Sequence, residues 1–320
     1  MKLDLINEKI IHYFGRNKVE KDCITFFNTC SGFTFDFIGT KVIAKFISNP
    51  LNLKLRILVD DDKIGKLVFI NTNGEYVLVD NLVNGPHTIK VFKCNSEEWG
   101  VLSLLEIDGP ESYLEYQNKY DYKFEFFGDS ITAGYGINSI QGGDSTENED
   151  GTLTYAKRVC DYFNAEPRML AQSGISLAIP VWHDWIMYDR YKYYSVINYQ
   201  VPYDFTKYNP DFVFINLGTN DSAGVNKENS IIYKDTMYQM VHELRELYPQ
   251  SYIIVLYGMM GVNPLIKNGI EATIKRVNDK KIMYKEFHSG PCSGWNGHPS
   301  KENAIIDANE LIAFLIPIIN

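Results

Sequence analysis

The apolar pattern of this chain changes period once, and that change limits the possible folds more than any single motif does. From about Val19 to Asp108 the sequence is a series of short runs: "CITFFNT", "FTFDFIG", "KVIAKFI", "LKLRILVD", "KLVFINT", "EYVLVD", "HTIKVFK" and "VLSLLEID". Many are β-branched or aromatic, and Phe33-Thr-Phe-Asp-Phe37 and Lys54-Leu-Arg-Ile-Leu58 alternate as half-buried strands do. Asn73-Gly74 and Asn84-Gly85 read as hairpin-type turns. Seven or eight strands at this spacing, with no long helix between them, predict an all-β sandwich of jelly-roll type over residues 1–110.

Residues 111–122 are polar, Tyr-rich and aperiodic, and read as a connector. Beyond them strands alternate with helices. Strands are expected at Lys123–Phe127, Arg168–Gln172, Phe212–Leu217, Tyr252–Tyr257 and Lys281–Phe287. Helices are expected near Thr154–Phe163, Glu228–Leu247, Leu265–Asp279 and Ser300–Leu315. In the second of these, Ile231, Met237, Met240, Val241 and Leu244 fall along one face. Such alternation predicts an α/β domain of three layers over residues 123–320, with a parallel sheet covered by helices. Ligands of such sheets bind at the C-terminal ends of the strands.

Composition removes several function classes. A formal net charge of −9 disfavours nucleic acid and anionic membranes, since phosphate binding needs clustered Lys and Arg. Asp4, Glu8 and Lys9 interrupt the N-terminal segment, and no run approaches the ~20 apolar residues of a membrane span. A cytoplasmic location is the expectation. Cys23, Cys30, Cys94, Cys160 and Cys292 are scattered and form no C-x-x-C pair, so reduced thiols are expected rather than a zinc site. No pattern marks an oligomer interface.

Four short signals lie at or beyond the expected strand ends or before the last helix. Gly128-Asp129-Ser130, within "FFGDSITAGYG", presents a serine at a strand end. A serine hydroxyl is a poor nucleophile without an adjacent base, and the same serine could be a helix N-cap. Gly174 in "AQSG" could offer a backbone N–H to an oxyanion or could simply make a turn. Asn220 in "GTND" could aim its amide at the same point or serve an Asn/Asp turn. His298 in "GWNGHPSKEN" precedes a helix that Ser300 could cap. Each is ambiguous alone, but together they give Ser, Gly, Asn and His in order.

That ordered set resembles the SGNH (GDSL-type) hydrolases, whose name spells these four residues. The phrase "GDSITAGYG" after a β-rich half resembles more narrowly the two-domain carbohydrate esterases of family two, which are acetyl xylan esterase-like. The stretches "SGFTFDFIGTKVIAKF" and "NGPHTIKVFKCNSEEWGVLSLLEIDG" look like that family's jelly roll. The resemblance implies a serine esterase that removes O-acetyl groups from carbohydrates through an acetyl-enzyme. Ser130 would be the nucleophile and His298 the base. The backbone N–H groups of Ser130 and Gly174 and the Asn220 side chain would form the oxyanion hole. No metal or organic cofactor is implied, and the partner is an acetylated mono- or oligosaccharide.

One position departs from the wider family, which places Asp three residues before the histidine; here it is Trp295. The expectation is that a main-chain carbonyl near Trp295–Gly297 orients His298 instead, giving a Ser–His dyad. Tyr135, Trp182 and Trp295 are candidate sugar-stacking residues that could equally pack the domain seam, as could Trp185. Arg190 and Lys192, on the same insertion, could be simple surface charge. Alternatives keep the machinery for a general short-chain carboxylesterase, thioesterase or lysophospholipase, or keep only the scaffold as a non-catalytic carbohydrate-binding protein.

Overall fold

The structure, a computed structural model, describes residues 2–141, 143–288 and 290–319. The N-terminal half holds β1 (Ile11–Phe14), β2 (Asn17–Glu20), β3 (Cys23–Phe26), β4 (Gly32–Ile38), β5 (Val42–Asn49) and β6 (Leu53–Val59). It continues with β7 (Lys66–Ile70), β8 (Gly74–Val79), β9 (Pro86–Lys93), β10 (Val101–Asp108) and β11 (Ser112–Tyr113). One sheet runs β1-β4-β9-β6-β7, with β11 also pairing β4; the other runs β2-β3-β10-β5-β8. Their inner faces meet through Phe33, Phe35, Phe37, Phe46, Leu55 and Leu104, all fully or nearly buried.

Three sequence expectations change here. Neither Asn-Gly pair closes a hairpin: β7, β8 and β9 alternate between the two sheets, so both turns cross the sandwich. Asn73 instead uses its side-chain oxygen to accept from Ser48 N–H at 2.9 Å. The expected connector begins inside the sandwich, because β11 pairs β4 and Leu114 N–H donates to Asp36 O. Strands β1 and β2 precede the first expected run, and in β2 only Asn17 is buried.

The C-terminal half contains β12 (Tyr122–Gly128), α1 (Ser130–Ala133), α2 (Tyr155–Tyr162), β13 (Ala165–Ala171), α3 (Met187–Arg190) and β14 (Phe212–Asn216). Then follow α4 (Asp221–Gly224), α5 (Ser230–Leu247), β15 (Tyr252–Tyr257), α6 (Pro264–Val277), β16 (Ile282–Glu286) and α7 (Lys301–Ile319). The strands run parallel in the order β13-β12-β14-β15-β16. This is the flavodoxin-like winding, whose switch point flanks the first strand of the domain, here β12. Helices α5 and α6 cover one face over Val213, Ile215, Ile253 and Val255; α2 and α7 cover the other over Phe124, Phe126, Phe212 and Phe214. On α5 the buried face uses Tyr233 with Met237, Met240, Val241 and Leu244, while Ile231 is 47% exposed. Among the described residues, no helix is long and apolar enough to cross a membrane.

Charged side chains of the sandwich lock the two halves together. Arg16, 1% exposed, donates to Glu125 Oε1 on β12 at 3.0 Å and to the carbonyls of Tyr191 and Tyr193 at 2.6 and 2.7 Å. Its guanidinium also faces the rings of Tyr203 and Phe205. Glu97 gathers the N–H groups of Val196, Ile197 and Asn198, and Lys54 donates to the carbonyls of Glu147 and Glu149. Removing one member of a buried ion pair leaves the other unpaired and costs about 3–5 kcal/mol. Arg16→Met should therefore lower the unfolding free energy by about that amount. Urea denaturation checks this, and the Arg16→Met/Glu125→Met pair should recover much of the loss.

Candidate active site

Parallel strands β12, β13 and β14 end side by side at the switch point, and each delivers one of the residues singled out in the sequence. Ser130 opens α1 directly after β12, with Asp129 as its N-cap; Asp129 Oδ1 accepts from Ile131 N–H at 3.0 Å. Among the described residues, the Ser130 N–H donates to no protein acceptor, as expected for the first turn of a helix. Burial pushes the Asp129 carboxyl up to about 7, and its role is to brace the turn. Gly174, after β13, has φ +74, and a Cβ there would approach His183 Nε2 to 3.0 Å and Trp182 Cβ to 3.2 Å. Its N–H also lacks a protein acceptor among the described residues. Asn220, after β14, donates one amide hydrogen to Ile175 O at 2.9 Å, which sets its side chain beside the Gly174 turn and leaves a second hydrogen.

His298 reaches the same point from the loop before α7. Its Nε2 lies 2.9 Å from Ser130 Oγ, and its Nδ1 lies 3.2 Å from the main-chain oxygen of Asn296. A carbonyl can only accept, so Nδ1 carries the proton and Nε2 is left to accept from the serine. Among the described residues no carboxylate is hydrogen-bonded to Nδ1. Burial lowers the pKa of His298 below its usual value, against the opposing pull of the Asn296 and Trp295 carbonyls and the charge of Asp144.

The aromatic candidates separate. Tyr135 sits edge-on to His298 with ring centroids 4.7 Å apart and donates its hydroxyl to Asp144. Trp295 donates Nε1 to the same Asp144 oxygen at 3.3 Å. Asp144 therefore holds both rings at the histidine. Trp182 is 68% exposed beside Gly174. Trp185 instead stacks on His183, with centroids 4.3 Å apart, and Arg190 lies over it. Lys192 pairs with Glu243 at 2.6 Å.

Three contributors carry no readable sequence signal beyond their neighbourhood. Asp221, fully buried, accepts from the N–H groups of Leu177, Ala178 and Ile179 at 2.8, 2.8 and 2.9 Å and so fastens the loop that follows Gly174. Glu98 comes from the sandwich and accepts from Gln172 Nε2 at 3.1 Å, bringing a carboxylate to the rim; partial desolvation raises its pKa. Asp144 lies in a polar loop that resembles any solvated turn.

A serine hydrogen-bonded to a correctly oriented imidazole, beside unoccupied N–H donors, is the geometry of acyl transfer. The sequence comparisons give the same reading. Residues 126–292 match the GDSL-like Lipase/Acylhydrolase family, and residues 13–112 match the Carbohydrate esterase 2 N-terminal family. The chain belongs to the GDSL-like lipase/acylhydrolase family. Within this family member, His298 lies just past the matched stretch. The chain is 29% identical over 306 residues to the cellulase/esterase CelE of Acetivibrio thermocellus, covering 88% of this chain and 36% of that protein. It thus spans about a third of the length of this curated relative. A family two carbohydrate esterase from Clostridium thermocellum, solved with cellohexaose, superposes with a TM-score of 0.87 at 25% identity, over 97% of this chain and 99% of the other. An acetyl xylan esterase from the rumen bacterium Butyrivibrio proteoclasticus shares the fold, with a TM-score of 0.88 at 18% identity, over 100% and 98% of the two chains.

Two outcomes follow for this acylhydrolase-family site. The base must be neutral to accept a proton, so kcat/KM should fall on the acid side with an apparent pKa below 6.5. Removing the Asp144 charge takes away a group that favours imidazolium, so Asp144→Asn should move that limb to lower pH; a pH–rate profile of both proteins checks it. Asp221→Asn turns an acceptor of three N–H bonds into a group with its own N–H donors. Ester hydrolysis should drop by about 100-fold, as when an oxyanion donor is misplaced. Single-turnover kinetics reads the loss.

Proposed function

We propose that this chain is a carbohydrate O-acetyl esterase that works through a Ser130–His298 dyad. The observation that carries the reading is the 2.9 Å contact between His298 Nε2 and Ser130 Oγ, with Nδ1 held by a main-chain carbonyl. Ser130 Oγ attacks the acetyl carbonyl carbon while its proton passes to Nε2. The carbonyl electrons move onto oxygen, which the Ser130 and Gly174 N–H groups and the free Asn220 amide hydrogen receive. The tetrahedral adduct collapses and breaks the C–O bond to the sugar. The sugar oxygen leaves with the proton from His298. Water then attacks the acetyl-enzyme by the same route in reverse order and releases acetate.

The carbohydrate assignment draws on the family two relatives, one of them solved with cellohexaose, and on the matched N-terminal domain. Trp182, exposed beside the oxyanion glycine, is suited to stack on a sugar ring. The reading is tested with p-nitrophenyl acetate and with acetylated xylo- and cello-oligosaccharides. Ser130→Ala should reduce turnover of all of them by at least about 1,000-fold. Trp182→Ala should raise KM for the oligosaccharides by about tenfold, a stacking loss of roughly 1–1.5 kcal/mol, and leave p-nitrophenyl acetate nearly unchanged. Equal hydrolysis by wild type and Ser130→Ala refutes serine catalysis. Faster turnover of long-chain acyl esters than of acetyl esters would favour the lipase-type alternative.

A further inference from the structure

Away from Ser130, the sandwich and the hydrolase domain enclose a cavity of about 370 Å³. The sandwich lines it from β6, the following loop and β9, through Leu58, Lys63, Ile64, Lys90 and Phe92. The hydrolase domain lines it from α2 and the turn before it, through Leu153, Lys157, Arg158 and Asp161. Its volume falls among those of small-molecule sites.

The charge of this lining is unbalanced. Five cations (Arg56, Lys63, Lys90, Lys157 and Arg158) face three carboxylates (Asp60, Asp62 and Asp161), in a chain whose net charge is −9. All three carboxylates are engaged. Asp60 accepts from His87 and from Thr88 N–H, Asp62 accepts from the N–H groups of Ile64 and Gly65, and Asp161 pairs with Lys157. Arg56 is engaged too, by Asp150, Thr152 and the Ile64 carbonyl.

Three cations are left over. Among the described residues, the side chains of Lys63 and Lys90 make no ion pair or hydrogen bond, and the Arg158 side chain uses only Nε, on Leu153 O at 2.9 Å. Lys90 rests over the Tyr120 ring at 5.1 Å. Burial and then repulsion from Lys157 lower its pKa against the attraction of Asp161, and burial lowers that of Arg158 against the same carboxylate. Desolvated like charges that converge on one cavity are complementary to an anion.

We propose that this interdomain cavity binds a small organic phosphate. Lys90 and the free guanidinium face of Arg158 hold the phosphoryl oxygens, Lys63 closes over them from the loop, and the carbon body packs against Leu58, Phe92 and Leu153. A phosphate ester carries close to two charges and three acceptor oxygens, which suits three unpaired cations better than a single carboxylate does. Inorganic phosphate alone would leave the apolar side of the cavity unfilled. Because the ligand touches both domains, binding favours the assembled two-domain form.

The test is isothermal titration calorimetry of the whole chain at low salt, with glucose 6-phosphate as the probe and inorganic phosphate and glucuronate beside it. Glucose 6-phosphate should bind saturably, more weakly as salt rises, and equally to wild type and Ser130→Ala. Lys90→Gln and Arg158→Gln should each weaken it by about tenfold, or roughly 1.4 kcal/mol. Lys63→Gln, which alters an exposed side chain, should weaken it severalfold and guards against variants that misfold. The proposal is overturned by no saturable binding up to about 10 mM, far weaker than a useful site. Wild-type affinity in all three variants, or loss of binding in Ser130→Ala, overturns it as well. Inorganic phosphate or glucuronate binding as tightly as the ester would overturn the organic-phosphate assignment.

Discussion

A backbone hydrogen bond, Trp295 N–H to Gly136 O at 2.9 Å, joins the loop that carries His298 to the segment that follows Ser130. The approach is close enough that a Cβ on Gly136, whose φ is +73, would lie 2.6 Å from Trp295 O and 3.2 Å from His298 Cβ. A glycine is needed there both for space and for its left-handed backbone. The histidine loop also closes on itself, through Gly294 N–H to His298 O at 2.8 Å and His298 N–H to Trp295 O at 3.1 Å. These bonds fix the peptide of Asn296, whose carbonyl faces His298 Nδ1. The main-chain fold of 294–298 thus does what a triad carboxylate does by its side chain: it selects the tautomer.

The sandwich domain bears on the site largely through polar contacts, alongside the stack of Phe27 on Tyr199 with ring centroids 5.5 Å apart. An apolar contact is tolerant of sliding, whereas hydrogen-bonded charges specify one arrangement. Arg16 fixes β12, the strand that ends at Ser130, by way of Glu125. Glu97 fixes the backbone at 196–198, in the insertion that also holds Trp182 and His183. Its neighbour Glu98 turns the other way and reaches Gln172, two residues before Gly174. Two adjacent acids in "SEEW" therefore anchor the insertion and reach the rim of the cleft. The N-terminal domain is part of how the site is built.

Much of this was legible in the sequence because it rests on local pattern. The change of apolar period separates the sandwich from the parallel sheet, since a two-residue and a 3.6-residue period cannot be confused over long segments. Ser130, Gly174, Asn220 and His298 stand at the strand ends or the last helix entrance where parallel sheets place ligands, and the structure brings all four together. What stayed hidden depends on partners distant in sequence. Arg16 and Glu125 are 109 positions apart, and each alone looks like a surface charge. Asn73-Gly74 and Asn84-Gly85 read as hairpins because turn chemistry is local, while the sheet a strand joins is decided by non-local pairing. Asp144, Glu98 and Asp221 acquire their roles only from groups that the fold brings to them.

In the proposed reaction, a dyad without a carboxylate shifts the electrostatic work to the other side of the ester. The imidazolium formed during attack gains only the carbonyl dipole at Nδ1 and the more distant Asp144 charge, and burial opposes it. Each pKa unit lost there is about 1.4 kcal/mol less stabilisation of the protonated base. An oxyanion donor is worth roughly 3–4 kcal/mol, and three are available. Stabilisation of the developing negative charge therefore outweighs stabilisation of the positive one. That balance explains why the most heavily bonded carboxylate near the site is Asp221, which holds the oxyanion loop, and not a residue behind His298. A lowered histidine pKa is also compatible with the task, because it keeps Nε2 unprotonated and ready to accept at neutral pH. The departure at Trp295 is then a redistribution of charge stabilisation from the base to the oxyanion loop, held in place by main-chain geometry at one end and by Asp221 at the other.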